Sequence, residues 1–246
     1  MTSIGHAKQS VRRRVWDLLE REGAAPTGVH GHIPNFAGKK DAAARLATLD
    51  VWKEARVIKC NPDRAQLPVR VRALQEGKLL YMAVPRLATP KPFYLLDPTV
   101  LTAPFEAAAT STGAPDIAAT VGPDDMRPVD LIVCGSVAVS RRDGVRVGKG
   151  AGYSDLEIAL LTEAGLVTRG TVIATTIHQT QLLDEELPHA SHDFNVDLAI
   201  TPTEVLAFTA DRDRPAGIIK MDLRQDQLDS IPILAGRRCQ DARHNP

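Results

Sequence analysis

Between Gly144 and Asp155 the chain reads Gly144-Val-Arg-Val-Gly-Lys-Gly-Ala-Gly-Tyr-Ser-Asp155, a spacing suited to holding a polyphosphate. Gly148, Gly150 and Gly152 alternate along it. Lacking Cβ atoms, such a run lets backbone N–H groups converge on one anion. Arg146 and Lys149 add positive charge, and a helix is expected to begin at Ser154, its N-terminal dipole aimed the same way. The run is not a Walker A loop, because Gly144 to Lys149 is one residue short and no Ser or Thr follows the lysine. It is not G-x-G-x-x-G either.

Other polar residues admit two readings. Ser154-x-x-Glu157 has the form of a capping box, and Asp155 in a first helical turn gains from the dipole alone. Lys8 and Arg12, four apart on one helix face beside Arg13 and Arg14, suit either a solvated face or an anion. Asp197 opens an apolar strand, where it could cap a turn. Tyr153 would lie beside bound phosphate or anchor the loop in the core. Trp52, Phe93 and Tyr94 are candidates for stacking on a flat ligand, with core packing as the alternative. His178 and His189 lack metal-ligand spacing, and His30-Gly-His32 falls in a Gly- and Pro-rich loop.

These groups need a scaffold, and the periodicity describes one. Residues 6–22 read as an amphipathic helix, with Val11, Val15, Leu18 and Leu19 on one face and Gly23 ending it. Helices are also predicted over 40–48, 68–76 and 154–164. Strands are predicted over 56–60, 79–84, 129–134, 171–177 and 196–201. This alternation predicts an α/β fold with a mostly parallel sheet, helices on both faces and three layers. Residues 86–128, rich in proline, are expected to wrap an edge. The expected division is one α/β domain over 1–210 and a partly ordered tail over 211–246.

Composition excludes several classes. Thirty basic and 30 acidic side chains cancel, so no global field recruits nucleic acid or membrane. The longest apolar runs, such as Leu79–Val84, are too short for a bilayer, and the N-terminus carries no signal-peptide pattern. Cys60, Cys134 and Cys239 are odd in number and widely spaced, as suits reduced thiols in a cytoplasmic protein. The expected assembly is a monomer or homodimer. An RNA-associated role rests only on Arg12–Arg14, without a recognition module.

The 144–155 run resembles the G-x-R-L-G-x-G-x-G-Y-Y-D signature of 5-formyltetrahydrofolate cyclo-ligases. Lys8-Gln-Ser-Val-Arg12 resembles the K-x-x-L-R segment that opens those enzymes, and His192-Asp193-Phe-Asn-Val-Asp197, followed by Thr201, their H-D-x-x-V-D. Ser154 replaces the family's second tyrosine, and Asp63–Gln66 lacks an expected glutamate. Ile33-Pro-Asn-Phe36 and Pro62-Asp-Arg-Ala-Gln66 resemble a divergent branch, the methenyltetrahydrofolate synthase domain-containing proteins.

The resemblance implies a cyclo-ligase-like fold and an ATP- and Mg²⁺-dependent ligase of one-carbon metabolism, acting on a folate-type small molecule. ATP would phosphorylate the formyl oxygen of 5-formyltetrahydrofolate. N10 would then close the 5,10-methenyl bridge, with ADP and phosphate released. It implies a nucleotide site of Lys8, Arg12, Arg146, Val147, Gly148, Lys149, Gly150, Ala151, Gly152 and Tyr153. Arg146, Lys149 and Tyr153 would serve the chemistry, and Asp155 and Asp197 would bind Mg²⁺. The departures at 154 and 63–66 imply an alternative: a folate- or nucleotide-binding member with weak or altered catalysis.

Overall fold

The computed structural model describes residues 3–209 and 214–235. Its strands are β1 (Val57–Cys60), β2 (Leu79–Ala83), β3 (Phe93–Leu96), β4 (Ala119–Val121), β5 (Leu131–Cys134), β6 (Ala138–Ser140), β7 (Arg146–Val147), β8 (Val172–Thr176), β9 (Leu182–Leu183), β10 (Leu198–Ile200) and β11 (Val205–Ala207). Its α-helices are α1 (Ser3–Arg21), α2 (Lys39–Leu46), α3 (Asp50–Glu54), α4 (Leu67–Gln75), α5 (Phe105–Ala108), α6 (Ala114–Ile117), α7 (Tyr153–Glu163) and α8 (Gln225–Ser230).

β1 and β5 are buried along their whole length, so successive side chains feed opposite faces of one sheet. Ile58, Cys60, Leu131 and Val133 meet α1, α2 and α4 through Val15, Trp16, Leu46 and Leu74. Val57, Ile132 and Cys134 share the other face with Leu156, Leu160 and Leu161 of α7. The expected three layers are present. The sheet runs β11–β10–β8–β5–β1–β2–β3–β4, with β10, β8, β5, β1 and β2 mutually parallel. β11, β3 and β4 join antiparallel at its edges.

Two expectations change in detail. Residues 86–128 do not simply wrap an edge; they supply β3 and β4, each too short to set up a visible alternation. Within the expected tail, Ile218, Ile231 and Leu234 are buried in the α7-side core. Residues 236–246, with Cys239, lie outside the described residues. Cys60 and Cys134 are both buried free thiols, and burial pushes Cys60 up to about 11. No described helix is long and apolar enough to cross a membrane.

The chain leaves β1 for β2 on one side and reaches β5 on the other. The carboxyl ends of β1 and β5 therefore flank a point where the winding direction reverses, the customary ligand crevice of such sheets. A small second sheet, β7–β6–β9, stands beside it. Its β6–β7 hairpin turns at Gly144, where φ is 71° and a Cβ would lie 2.4 Å from the Val196 carbonyl. That hairpin delivers the glycine run to the crevice.

Candidate active site

β7 ends at Val147 and α7 starts at Tyr153, so Gly148–Gly152 form a loop from a strand to a helix. The helix begins one residue earlier than expected. Its N-cap is Gly152 in the left-handed region, and no side chain caps it. The Ser154–Glu157 capping box does not form. Ser154 Oγ instead accepts from Asn61 Nδ2 at 2.7 Å, and Glu157 is ion-paired with Lys59. The first turn of an 11-residue helix is thereby left for another acceptor. At Gly150 φ is 103°, and a Cβ would sit 3.2 Å from the Arg12 guanidinium. A side chain there would be both strained and crowded.

Cations surround this loop. Arg146, buried on β7, donates to the Gly135 carbonyl beyond β5 through Nε (3.3 Å) and Nη2 (3.1 Å), and to Asp155 Oδ1 at 3.4 Å. Its guanidinium lies 4.3 Å from the centre of the Phe194 ring. Arg12 Nε donates to the Gly148 carbonyl at 2.7 Å, and Lys8 is ion-paired with buried Asp193. Lys149, more exposed, donates to Asp63 Oδ1 at 3.0 Å. Burial, reinforced by Arg146, lowers the Arg12 pKa, with Asp193 opposing. Burial also raises Asp155 above the usual carboxylate range; Arg146 opposes this and Asp193 adds to it. Three of these cations each face one carboxylate, Lys8 with Asp193, Arg146 with Asp155 and Lys149 with Asp63, while Arg12 is held by the Gly148 carbonyl and by Gln9 Oε1 at 3.2 Å.

Beneath the loop lies a network that sequence reasoning missed. Lys59 is fully buried on β1, ion-paired with Glu157 of α7 and donating to Asn61 Oδ1 at 3.0 Å. Burial raises the Glu157 pKa, with Lys59 opposing. Arg70, buried on α4, donates to the Asn61 carbonyl and to those of Asp63 (3.0 Å) and Ala109 (2.7 Å), stapling residues 61–63 to the crevice. The signals were a lysine inside the strand Val57-Ile-Lys-Cys60 and a glutamate inside the apolar run Leu156–Leu161.

The structure thus assembles Lys8, Arg12, Arg146, Val147, Gly148, Lys149, Gly150, Ala151, Gly152, Tyr153 and Asp155 around one loop. Val147 is buried and Tyr153 packs partly buried against the α7-side core. Asp197 is not brought to them. It stands at the amino end of β10, where its Oδ2 accepts from the Ile173 N–H at 2.7 Å and pairs with Arg214. Among the described residues no group of three or more His, Cys, Asp or Glu could hold a metal. Asp155, with Asp193 near it, still fits Mg²⁺, which takes one or two carboxylates and completes its shell with phosphate and water. Trp52, Phe93 and Tyr94 are core residues, and the Trp52 Nε1 donates to Glu76 Oε2 at 2.6 Å.

The described part of the C-terminal region borders the same loop. Asp222 Oδ2 accepts from Ser191 Oγ (3.1 Å) and lies 2.9 Å from His192 Nδ1, while Gln227 and Arg224 reach the Ala151 carbonyl. Leu156, Ala159, Ile218 and Leu223 line a cleft between this region and α7.

A solved structure shares the fold, and relatives share the sequence over most of its length. The NMR structure of Aquifex aeolicus 5,10-methenyltetrahydrofolate synthetase superposes with a TM-score of 0.54 at 20% identity, covering 86% of this chain and 96% of that one. Methenyltetrahydrofolate synthase domain-containing proteins of Bos taurus and Mus musculus are 39% and 40% identical over 243 residues, 96% of this chain. The chain spans only 63% and 64% of their respective lengths. Residues 4–202, which carry the loop, the α1 cations and the Asp193 segment together, match the 5-formyltetrahydrofolate cyclo-ligase family, and to that ligase family the chain belongs.

Proposed function

We propose that this chain converts 5-formyltetrahydrofolate to 5,10-methenyltetrahydrofolate using ATP, with Mg²⁺ as metal ion. The observation that carries the reading is the uncapped start of α7 behind Gly148–Gly152, ringed by Lys8, Arg12, Arg146 and Lys149. The formyl oxygen attacks the γ-phosphorus and ADP departs. N10 then attacks the activated formyl carbon, the C–O bond breaks, phosphate leaves and N10 gives up its proton. Phosphoryl transfer of this kind demands positioning and charge neutralisation, which the loop amides and cations supply.

Arg146 is fixed by two bonds to Gly135 and serves as a rigid anchor for transferred charge. Lys149, half free of its surroundings, follows the γ-phosphate from its bond with Asp63. Tyr153 offers its ring or hydroxyl to the folate end. Asp155, with Asp193, would hold Mg²⁺, which neutralises phosphate charge; Asp197 serves the fold. The folate is the expected small-molecule partner, and a cytoplasmic setting suits the buried thiols.

A second reading, a binding protein of this family with slowed catalysis, draws support from Ser154. Its hydroxyl is turned onto Asn61, and the family's tyrosine ring is missing there. A continuous assay of methenyl formation with ATP and Mg²⁺ separates the two. Turnover establishes the first. An ATP-induced rise in melting temperature without turnover establishes the second. Gly150→Val should abolish that rise, given its φ of 103° and the adjacent Arg12.

A further inference from the structure

The described residues 214–235 lie beyond the stretch 4–202 that matches the family, yet the Bos taurus and Mus musculus relatives align over 96% of this chain. The segment follows α7 back toward the glycine loop. It starts where Arg214 donates to the Thr171 carbonyl at 2.7 Å, at the amino end of β8. At the last turn of α7 the Ile218 N–H donates to Glu163 Oε1 at 2.9 Å. Gly217 lies so close that a Cβ would stand 2.6 Å from Glu163 Cγ. Ile218, Ile231 and Leu234 are buried, so the segment is packed down rather than laid across the surface.

Its far end reaches Ala151. Gln227, buried on α8, accepts the Arg224 N–H at 3.0 Å through Oε1 and points Nε2 at the Ala151 carbonyl, 3.4 Å away. Arg224 Nη2 aims at the same oxygen from 3.4 Å, steadied by Asp226 at 3.0 Å from its Nε. Each contact is long, but two donors converge on one acceptor. In a trans peptide the carbonyl of one residue and the N–H of the next point in opposite directions. Holding the Ala151 oxygen toward α8 therefore turns the Gly152 N–H away from α8. Gly152, at φ 76°, is free to let that peptide flip, so something outside the loop must choose its orientation.

We infer that the 214–235 segment is part of the nucleotide site, with Gln227 and Arg224 as positioning residues that set the Ala151–Gly152 peptide for phosphate binding. This rests on the nucleotide reading of the loop given above. It makes the segment a working addition to the matched family region and assigns it to the phosphate end of the site.

The test is Gln227→Glu in the full chain. A carboxylate keeps the acceptor for the Arg224 N–H but replaces the donor to Ala151 with a repelling oxygen. Titration with Mg²⁺–ATP should show affinity about tenfold weaker, the scale of losing one useful hydrogen bond. In turnover the KM for ATP should rise with kcat nearly unchanged, a split that a general loss of fold does not produce. Arg224→Ala, at an exposed position, should weaken ATP binding about threefold. Unchanged ATP affinity in a folded Gln227→Glu protein overturns the inference. Should that variant not fold, Arg224→Ala decides in the same way. Should wild type not bind ATP at all, the nucleotide reading fails by itself. Hydrogen exchange at the Gly150–Gly152 amides then decides the positioning claim, faster exchange in Arg224→Ala supporting it and equal exchange overturning it.

Discussion

The two ends of the parallel strands treat their carboxylates in opposite ways. At the amino ends, Asp130 accepts from the N–H groups of Arg56 and Val57, both at 2.8 Å, and Asp197 accepts from Ile173 at 2.7 Å. Each sits one residue before its own strand and clasps the start of a neighbour. At the carboxyl ends, Asp155 faces Arg146, and burial holds its carboxyl above the usual range. A carboxylate satisfied by backbone stabilises a fold. One held among cations and partly stripped of water is a cost that a ligand or metal can recover. The contrast separates the two: Asp155 lies beside the glycine loop and Asp197 clasps the sheet, although both stand near the start of a secondary-structure element.

The largest effect should come from breaking the buried pair under the carboxyl end. Lys59→Met leaves Glu157 buried without its cation, and unfolding titrations should show a loss of about 3–5 kcal/mol. Lys59→Met/Glu157→Leu should recover most of it. Burial raises the Glu157 pKa despite Lys59, so its ionised form is disfavoured in the folded state relative to the unfolded chain. A raised folded pKa gives stability that is present below the unfolded value, about 4.3, and is lost as pH rises through the folded one. The deficit of Lys59→Met should therefore shrink as pH falls toward that range. A deficit independent of pH would assign the loss to packing alone.

Next in size is Asp130→Ala, which strips the Arg56 and Val57 N–H groups of their acceptor and should cost about 2 kcal/mol with ATP affinity intact. The pair Asp155→Asn and Asp197→Asn then sharpens the contrast. Asp155→Asn should weaken Mg²⁺–ATP binding about tenfold and metal-free ATP binding less. Its unliganded form should be no less stable than wild type at neutral pH, since a carboxylate with a raised pKa costs stability once ionised. Any gain should vanish as pH falls. Asp197→Asn should lose about 1 kcal/mol with its Arg214 pair and leave ATP binding alone. Crossed results, with nucleotide lost in Asp197→Asn and stability lost in Asp155→Asn, would undo the assignment.

The strand–helix alternation was legible because β1, β2, β5 and β8 are mostly apolar runs, broken only by Lys59 in β1 and the two threonines that end β8, and glycine and proline punctuate the chain between elements. β3, β4 and β11 were not, since three or four residues at a sheet edge carry little pattern and gain their identity from partners. The glycine run with Arg146 and Lys149 was legible from spacing, whereas Lys8 and Arg12 were tied to it only through the family resemblance of their own segment. The role of Asp197 was open because an aspartate before an apolar strand reads alike whether it meets a metal or a backbone N–H. Ser154-x-x-Glu157 suggested a cap that did not form, for Lys59 and Asn61, about 95 residues away in sequence, claimed both side chains. The contribution of 214–235 to the site was invisible because its hydrophobic residues are sparse and find their core only in three dimensions.

A modest effect on stability, and the most telling one on chemistry, belongs to Ser154→Tyr. Gly152 rather than Ser154 caps α7, so the substitution breaks no cap. What it loses is the 2.7 Å bond from Asn61, worth about 1 kcal/mol. Asn61 keeps Lys59 at 3.0 Å on its other side, so the buried pair should survive. The tyrosine restores the ring that the cyclo-ligase signature carries at this position, beside Tyr153 and at the mouth of the crevice. If the serine is what slows this chain, methenyl formation should rise above wild type. Asn61→Ala is the necessary companion, because it removes the same hydrogen bond and adds no ring. A gain in Ser154→Tyr absent from Asn61→Ala assigns the effect to the ring itself. Brisk turnover in wild type that the tyrosine only slows would mean that Ser154, held by Asn61, is the arrangement this branch uses for the same ring closure.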